Sequence, residues 1–229
     1  MISNDDTIKI NQGVLLPLME AFYTIQGEGF YKGSAAYFIR LGGCDVGCHW
    51  CDVKESWDAS IHPPTDILSI VREAKIHSKT VVVTGGEPLM WDMFPLTKLL
   101  KKNNIKTHIE TSGAYKMTGN WDWICLSPKK NKNPLDEAYI RANELKMIIH
   151  NLNDLKFAEN ESNKVNKDCI LYLQPEWSKR DKIMPIIVDY VMRNDKWRVS
   201  LQTHKYLNCL LYTSDAADDL LCVDLGGRR

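Results

Sequence analysis

A chain of 229 residues, 44% hydrophobic and 25% charged, has apolar material for one sizeable core and reads as a globular enzyme-sized domain. Acidic and basic residues balance at 29 each, so the zero net charge leaves no electrostatic footprint for nucleic acid or an anionic membrane, and neither is expected as a partner. No apolar run nears the roughly 18 residues of a membrane span, and the acidic residues 1–6 lack the apolar stretch of a secretory leader, so a cytoplasmic placement is expected.

In chain order, strand-like apolar runs fall at 36–41, 80–84, 105–110, 123–126, 144–149, 169–174 and 197–202. Helical patterns lie between most of them. Thr65-Asp66 can cap a helix that puts Ile67, Leu68, Val71 and Ala74 on one face. Asp92 can cap a second through Leu96, Leu99 and Leu100, and a longer one runs from Asp181 to about Arg193. Strand then helix, repeated, predicts an α/β fold with a parallel sheet, either an open doubly wound one or a barrel, closed or partial. No internal repeat or low-complexity segment interrupts it, so residues 1–208 are expected to form a single domain. From Cys209 onward the run resembles the translation of a transposon-end sequencing adapter, and 209–229 is expected to be a non-native tail. Without it the net charge is +2.

The chemistry concentrates in Gly42-Gly43-Cys44-Asp45-Val46-Gly47-Cys48-His49-Trp50-Cys51-Asp52. Three cysteines spaced C-x3-C-x2-C on a glycine-bearing loop let thiolates converge while backbone N–H groups turn toward them. Structural zinc sites want four ligands, usually as two C-x2-C pairs, and no second pair exists in the chain. Three thiolates on a [4Fe-4S] cluster instead leave one iron free for another ligand, as in the radical S-adenosylmethionine (SAM) enzymes, which this spacing resembles. Seven cysteines with three packed into eight residues fit a reducing compartment better than a disulfide framework, and Cys125 and Cys169, in apolar runs, are expected to be core thiols.

Six of the seven predicted strands also finish on a polar cluster: Arg40, Thr84-Gly85-Gly86-Glu87-Pro88, Glu110-Thr111-Ser112-Gly113, Ser127-Pro128-Lys129, Gln174-Pro175 and Gln202-Thr203-His204. Parallel α/β sheets build their sites at the carboxyl ends of strands, so these segments and the cysteine loop should share one mouth. Gly85-Gly86 after the buried run 81–84 should let a ligand approach the backbone closely.

Those segments, with Thr24-Ile25-Gln26-Gly27-Glu28-Gly29, Tyr37-Phe38-Ile39-Arg40-Leu41 and Leu201-Gln202-Thr203-His204-Lys205-Tyr206, resemble the 7-carboxy-7-deazaguanine synthase family of radical SAM enzymes, in order and across nearly all of 15–208. The resemblance implies an incomplete parallel β/α barrel and a homodimer served by a flavodoxin- or ferredoxin-like electron donor. The reaction it implies converts 6-carboxy-5,6,7,8-tetrahydropterin to 7-carboxy-7-deazaguanine by hydrogen abstraction, ring contraction and loss of ammonia, on the route to the queuosine base. It implies that Cys44, Cys48 and Cys51 ligate the cluster, and that Trp50, Cys51, Asp52, Gly86, Ser127, Pro128, Lys129, Gln174 and Pro175 line SAM. Ile25, Gln26, Gly27, Glu28, Arg40 and Thr84 would hold the pterin. No side chain is a catalyst in this scheme, because the radical is generated on SAM.

Two departures stand out. The family commonly places a threonine after Cys-Asp, whose hydroxyl helps to hold Mg2+ beside the substrate carboxylate; here the residue is Val53, which offers a hard cation no oxygen, so Mg2+ is in doubt. The suspected adapter tail also replaces the family's own short C-terminus. Two other readings use the same residues: a radical SAM activase of a glycyl radical enzyme, and a zinc-stabilised binding module.

Overall fold

The computed structural model describes residues 4–51, 53–207 and 209. A short helix, α1 (Asn4–Asn11), leads into β1 (Leu15–Ile25), which returns antiparallel as β2 (Ala35–Leu41). After the cysteine loop come β3 (Pro64–Asp66), α2 (Ile67–His77), β4 (Thr80–Gly85), α3 (Phe94–Lys102), β5 (Lys106–Thr111) and β6 (Trp123–Leu126). The chain closes with α4 (Asp136–Arg141), β7 (Glu144–Ile149), α5 (Leu152–Ser162), β8 (Ile170–Pro175), α6 (Arg180–Arg193), β9 (Trp197–Val199) and α7 (Thr203–Tyr206). All seven sequence-read strands are present, the last one shortened.

The described strands form one sheet in the order β3-β1-β2-β4-β5-β6-β7-β8-β9. From β2 through β9 every neighbour is parallel and the spatial order follows the chain, which is how a β/α barrel winds. The edges β3 and β9 do not pair, so the barrel is partial. This decides between the two parallel architectures left open by the residue pattern. β1 and β3 were not anticipated: β1 carries a bulge between Leu18 and Glu20 that breaks its alternation, and β3 is three residues beginning with proline.

Strand periodicity sorts the side chains onto two faces. Ile39, Leu41, Val81, Val83, Ile109, Leu145, Met147 and Leu173 point outward and meet Ile70, Val71, Leu96, Leu100, Ala158 and Ile187 from the helices, forming the main core. The inner face is mixed: a small apolar patch of Phe22, Ala36, Phe38 and Val82, and beside it the polar residues Arg40, Thr84, Glu110, Lys146 and Gln174. Helix α2 starts on Asp66, whose carboxylate accepts from Leu68 N–H at 2.8 Å, but Leu68 is 58% exposed and Ile70 takes the core position expected of it.

The 26–34 connection runs from β1 to β2 and reaches the amino ends of β6 and β7 and the segment after β9. Phe30 N–H donates to Glu144 Oε2 at 2.8 Å, Gly29 N–H to Ser200 Oγ at 3.2 Å, and Gly27 C=O accepts from Thr203 N–H at 2.9 Å. Gly29 has φ +64°, and a β-carbon there would lie 2.4 Å from Glu144 Oε1, so both its backbone and its lack of a side chain serve these contacts. Phe30 and Tyr31 then pack on Trp123, and Tyr31 on His108, whose burial lowers its pKa to about 4.

Candidate active site

At the carboxyl ends of the parallel strands the inner face opens into a cavity of about 260 Å³. Cys44, Cys48 and Cys51, all half-buried, stand on one wall, and burial raises the Cys44 and Cys48 thiols above their ordinary range. The loop that carries them is tied by its backbone: Gly43 N–H to Ser56 C=O at 2.6 Å, Cys44 N–H to Trp57 C=O at 3.1 Å, and Glu87 N–H to Gly43 C=O at 2.8 Å. Among the described residues no three His, Cys, Asp or Glu side chains form a group for a single metal ion, although the three thiols all line this cavity, and thiolates are the ligands an iron–sulfur cluster takes.

Gly85 and Gly86 line the cavity, and the backbone around them requires glycine as well. A β-carbon on Gly86 would lie 2.3 Å from Gly43 O and one on Gly85 2.4 Å from the Leu41 backbone, so these glycines let the start of the cysteine loop cross over the end of β4. The next residue, Glu87, is buried and receives four hydrogen bonds: from Leu89 N–H, Thr111 Oγ1, Ser112 N–H and Ser112 Oγ. It locks the Gly-Gly-Glu-Pro turn to the Glu-Thr-Ser-Gly turn.

Lys129 folds back to donate to Ser127 C=O at 2.6 Å and Ser127 Oγ at 2.5 Å, with its ammonium over the Trp50 ring; burial lowers its pKa. Gln174 is buried and accepts from Ser200 Oγ at 2.7 Å. Arg40 is the register partner of Thr84 across β2 and β4, lies over Phe22, and has Glu20 3.4 Å from its Nη1.

Deeper in, Glu28 reaches from the 26–34 connection to an ion pair with Lys146 and accepts from Gln202 Nε2 at 3.0 Å. Burial opposes ionisation there, but the Lys146 ammonium and its hydrogen bond bring the Glu28 carboxyl down to about 2. Burial likewise opposes the charge on Lys146, yet Glu110 and Glu28 push its pKa well above the ordinary lysine range. Gln26 Nε2 donates to Glu110 Oε1 at 2.9 Å.

A 7-carboxy-7-deazaguanine synthase of Flavobacterium psychrophilum is 64% identical over 208 residues, 91% of this chain and 99% of that protein. One from Synechocystis is 48% identical over 85% of this chain and 93% of its own length. The chain belongs to the 7-carboxy-7-deazaguanine synthase family. The Radical SAM superfamily family model matches residues 38–125, from β2 through most of β6. The crystal structure of QueE from Escherichia coli shares the fold with a TM-score of 0.74 at 32% identity, over 88% of this chain and 100% of that one. The chain is accordingly a radical SAM enzyme, and a [4Fe-4S] cluster and SAM are the cofactors of its family.

Of the residues expected to form a 7-carboxy-7-deazaguanine synthase site, Cys44, Cys48, Cys51, Trp50, Gly86, Ser127, Lys129, Gln174, Pro175, Gln26, Glu28, Arg40 and Thr84 all line the one cavity. Ile25, Gly27 and Pro128 do not: Ile25 ends β1 opposite Ala35, and Gly27 lies beneath the His204 ring, where a β-carbon would sit 2.0 Å from Nδ1. Asp52 lies outside the described residues, as does the tail from 210 onward. Lys146, Ile148 and Trp177 also line the cavity without having been singled out. The available signal was a lysine in the middle of the apolar strand 144–149.

Proposed function

We propose that this chain converts 6-carboxy-5,6,7,8-tetrahydropterin to 7-carboxy-7-deazaguanine, in the pathway to the queuosine base. The observation that carries the reading is the single cavity in which three half-buried thiols share space with Arg40, Thr84 and the Glu28–Lys146–Glu110 group. Cys44, Cys48 and Cys51 would hold the [4Fe-4S] cluster, and the lack of a fourth cysteine in the loop leaves one iron for the amino and carboxylate groups of SAM. Bound there, cluster and SAM together supply the 5′-deoxyadenosyl radical that removes hydrogen from C6 of the pterin.

The protein's own contribution is placement and exclusion. Trp50, Gly86, Ser127, Lys129, Gln174 and Pro175 form the SAM side of the cavity. Lys129, held to Ser127, puts a positive charge beside the thiolate loop. Arg40 presents a planar fork suited to the substrate carboxylate, with Thr84 beside it in register. The 26–34 connection, tied to Glu144 and Ser200, covers the amino ends of the strands beneath the cavity, which limits water and stray hydrogen donors.

A magnesium ion beside that carboxylate does not fit these residues. Val53 lines the cavity without an oxygen on its side chain, and the Ser56 hydroxyl donates to Val53 C=O at 2.6 Å. In this reading Arg40 alone takes the carboxylate. The resemblance to the family supports two further parts: a homodimer, and a flavodoxin- or ferredoxin-like electron donor. The adapter-like run supports a domain of residues 1–208 followed by a non-native tail. No described helix is long and apolar enough to cross a membrane.

The test is anaerobic reconstitution with iron and sulfide, then incubation with SAM, a reductant and 6-carboxytetrahydropterin, with products read by mass. Formation of 7-carboxy-7-deazaguanine is expected. Release of 5′-deoxyadenosine with the pterin untouched would remove the substrate assignment and keep the radical SAM chemistry.

A further inference from the structure

The three cysteines stand on a segment with little backbone support of its own. Among the described residues, no backbone–backbone hydrogen bond joins 45–50 to another segment, and within the loop Cys51 N–H reaches only Cys48 C=O, at 3.0 Å. The ties come instead from side chains of one turn, in the chain after β6, and they fall between the cysteines. Lys132 Nζ donates to Asp45 Oδ2 at 2.7 Å, just after Cys44, and Asn131 Nδ2 donates to Gly47 C=O at 2.8 Å, just before Cys48. Lys129 puts its ammonium over Trp50, just before Cys51. Tyr115, from the chain after β5, completes the first tie. Its hydroxyl donates to the same Asp45 oxygen at 2.6 Å and accepts from Lys132 at 2.8 Å, with the Lys132 ammonium 4.0 Å from the centre of its ring. The turn is itself held: an antiparallel bridge pairs Lys129 with Lys132, Pro128 and Pro134 bracket it, and Leu135 N–H donates to Gly113 C=O at 2.8 Å.

We propose that the 129–132 turn is a clamp that presets the spacing of the cluster ligands, with Asn131, Lys132 and Tyr115 as positioning residues: they hold Gly47 and Asp45, and through them Cys48 and Cys44. This rests on the reading of Cys44, Cys48 and Cys51 as the cluster ligands. Ligands that become ordered only on binding draw that ordering from the metal's own binding free energy, whereas ligands already held take iron more tightly and release it more slowly. The Lys132–Asp45 pair is half-exposed, so it adds little to global stability and its consequence is local. The same turn carries Lys129, bonded to Ser127 on the SAM side, so a shift of the clamp would move two walls of the site together.

The experiment compares wild type, Lys132→Met, Lys132→Arg, Asn131→Asp and Tyr115→Phe as full chains, each as apoprotein and after anaerobic reconstitution. It reads deuterium uptake by the peptide spanning 44–51 in the apoprotein, iron per chain, the rate at which a chelator strips the loaded protein, and Tm. Lys132→Met keeps an apolar stem over Tyr115 and removes the charge, while Asn131→Asp sets a carboxylate oxygen against the Gly47 carbonyl. Each is expected to speed exchange across 44–51 and loss of iron by at least about fivefold, with the apoprotein Tm within about 2 °C of wild type. Lys132→Arg, whose fork can still donate to Asp45 and Tyr115, should hold iron as wild type does. Wild-type exchange or wild-type iron loss in either Lys132→Met or Asn131→Asp, or an arginine variant no better than the methionine one, would overturn the inference. So would a fall in Tm with exchange raised evenly along the chain, which marks a contact that serves stability alone. Should either variant fail to fold, Tyr115→Phe decides: iron loss at least about twofold faster is expected, and a wild-type rate overturns the clamp. A wild type that takes up no iron overturns the ligand reading and the clamp together, whereas a loaded wild type beside indifferent variants overturns the clamp alone.

Discussion

Gly86 and Gly43 touch where the cysteine loop crosses the end of β4: a β-carbon on Gly86 would stand 2.3 Å from the Gly43 carbonyl oxygen and 3.1 Å from Cys44 Cβ. That oxygen also accepts from Glu87 N–H at 2.8 Å, so the loop cannot lift without breaking a backbone bond. Gly86→Ala should therefore displace the first cluster ligand. Overpacking of this kind costs about 1–3 kcal/mol, and iron content after reconstitution is expected to fall well below that of wild type. A variant that loads iron fully would show that the loop can yield.

Glu87 gathers four donors in a buried site. Glu87→Gln turns an NH2 group toward donors that need an acceptor, at a cost of about 1–3 kcal/mol for a buried unsatisfied group. For a domain of this size that corresponds to roughly 2–4 °C in Tm per kcal/mol. Thermal unfolding should show the drop, and SAM affinity should weaken with it because both turns border the cavity. An unchanged Tm would mean the amide finds another orientation.

Acid stability should fall in two windows with opposite chemistry. His108 has a folded pKa lowered by burial to about 4, below its ordinary 6.5, so between those values the unfolded chain binds the proton that the folded one refuses. Stability is lost as pH falls from about 6.5 to 4. Glu28, brought down to about 2 by Lys146 against its burial, contributes stability that is full above its ordinary 4.5 and lost as pH falls toward 2. Urea unfolding across pH 7 to 3 should be flatter in the upper window for His108→Phe and in the lower one for Glu28→Gln. Unaltered slopes would mean neither group governs acid unfolding.

Val53 gives the magnesium question a gain-of-function test. Turnover by the wild type is expected to be indifferent to Mg2+ and to its removal by chelator. Val53→Thr places a hydroxyl on the cavity wall near a bound carboxylate, and the pterin KM of that variant should become Mg2+-dependent. A wild type whose KM rises severalfold on chelation would show that an oxygen from elsewhere holds the ion.

The sequence by itself determined the alternation of parallel strands and helices and the place of the cysteine loop, while the winding of the sheet stayed open between two architectures. Seven apolar runs were legible as strands because parallel strands covered by helices are buried along most of their length and need no alternation to be seen. Their order, and the polar clusters ending six of them, already put Cys44, Arg40, Thr84, Ser127 and Gln174 at one mouth, since successive parallel strands carry their carboxyl ends to the same side. What stayed hidden lacked a local signal: β3 exists only because β1 lies beside it, and the bulge after Leu18 blurs β1 itself.

Only the tertiary structure decided how the polar groups divide their work. Lys146 interrupts an apolar strand, and its partner Glu28 lies 118 residues earlier in the chain. That meeting depends on the 26–34 connection, which is held by Glu144, Ser200 and Thr203 from distant segments. In the same way, the need for glycine at position 86 comes from Gly43, whose carbonyl oxygen stands 2.3 Å from where a β-carbon would be. Composition and spacing report what a segment can do on its own, whereas a buried ion pair or a glycine contact is defined by its partner, and partners are chosen when the chain closes on itself.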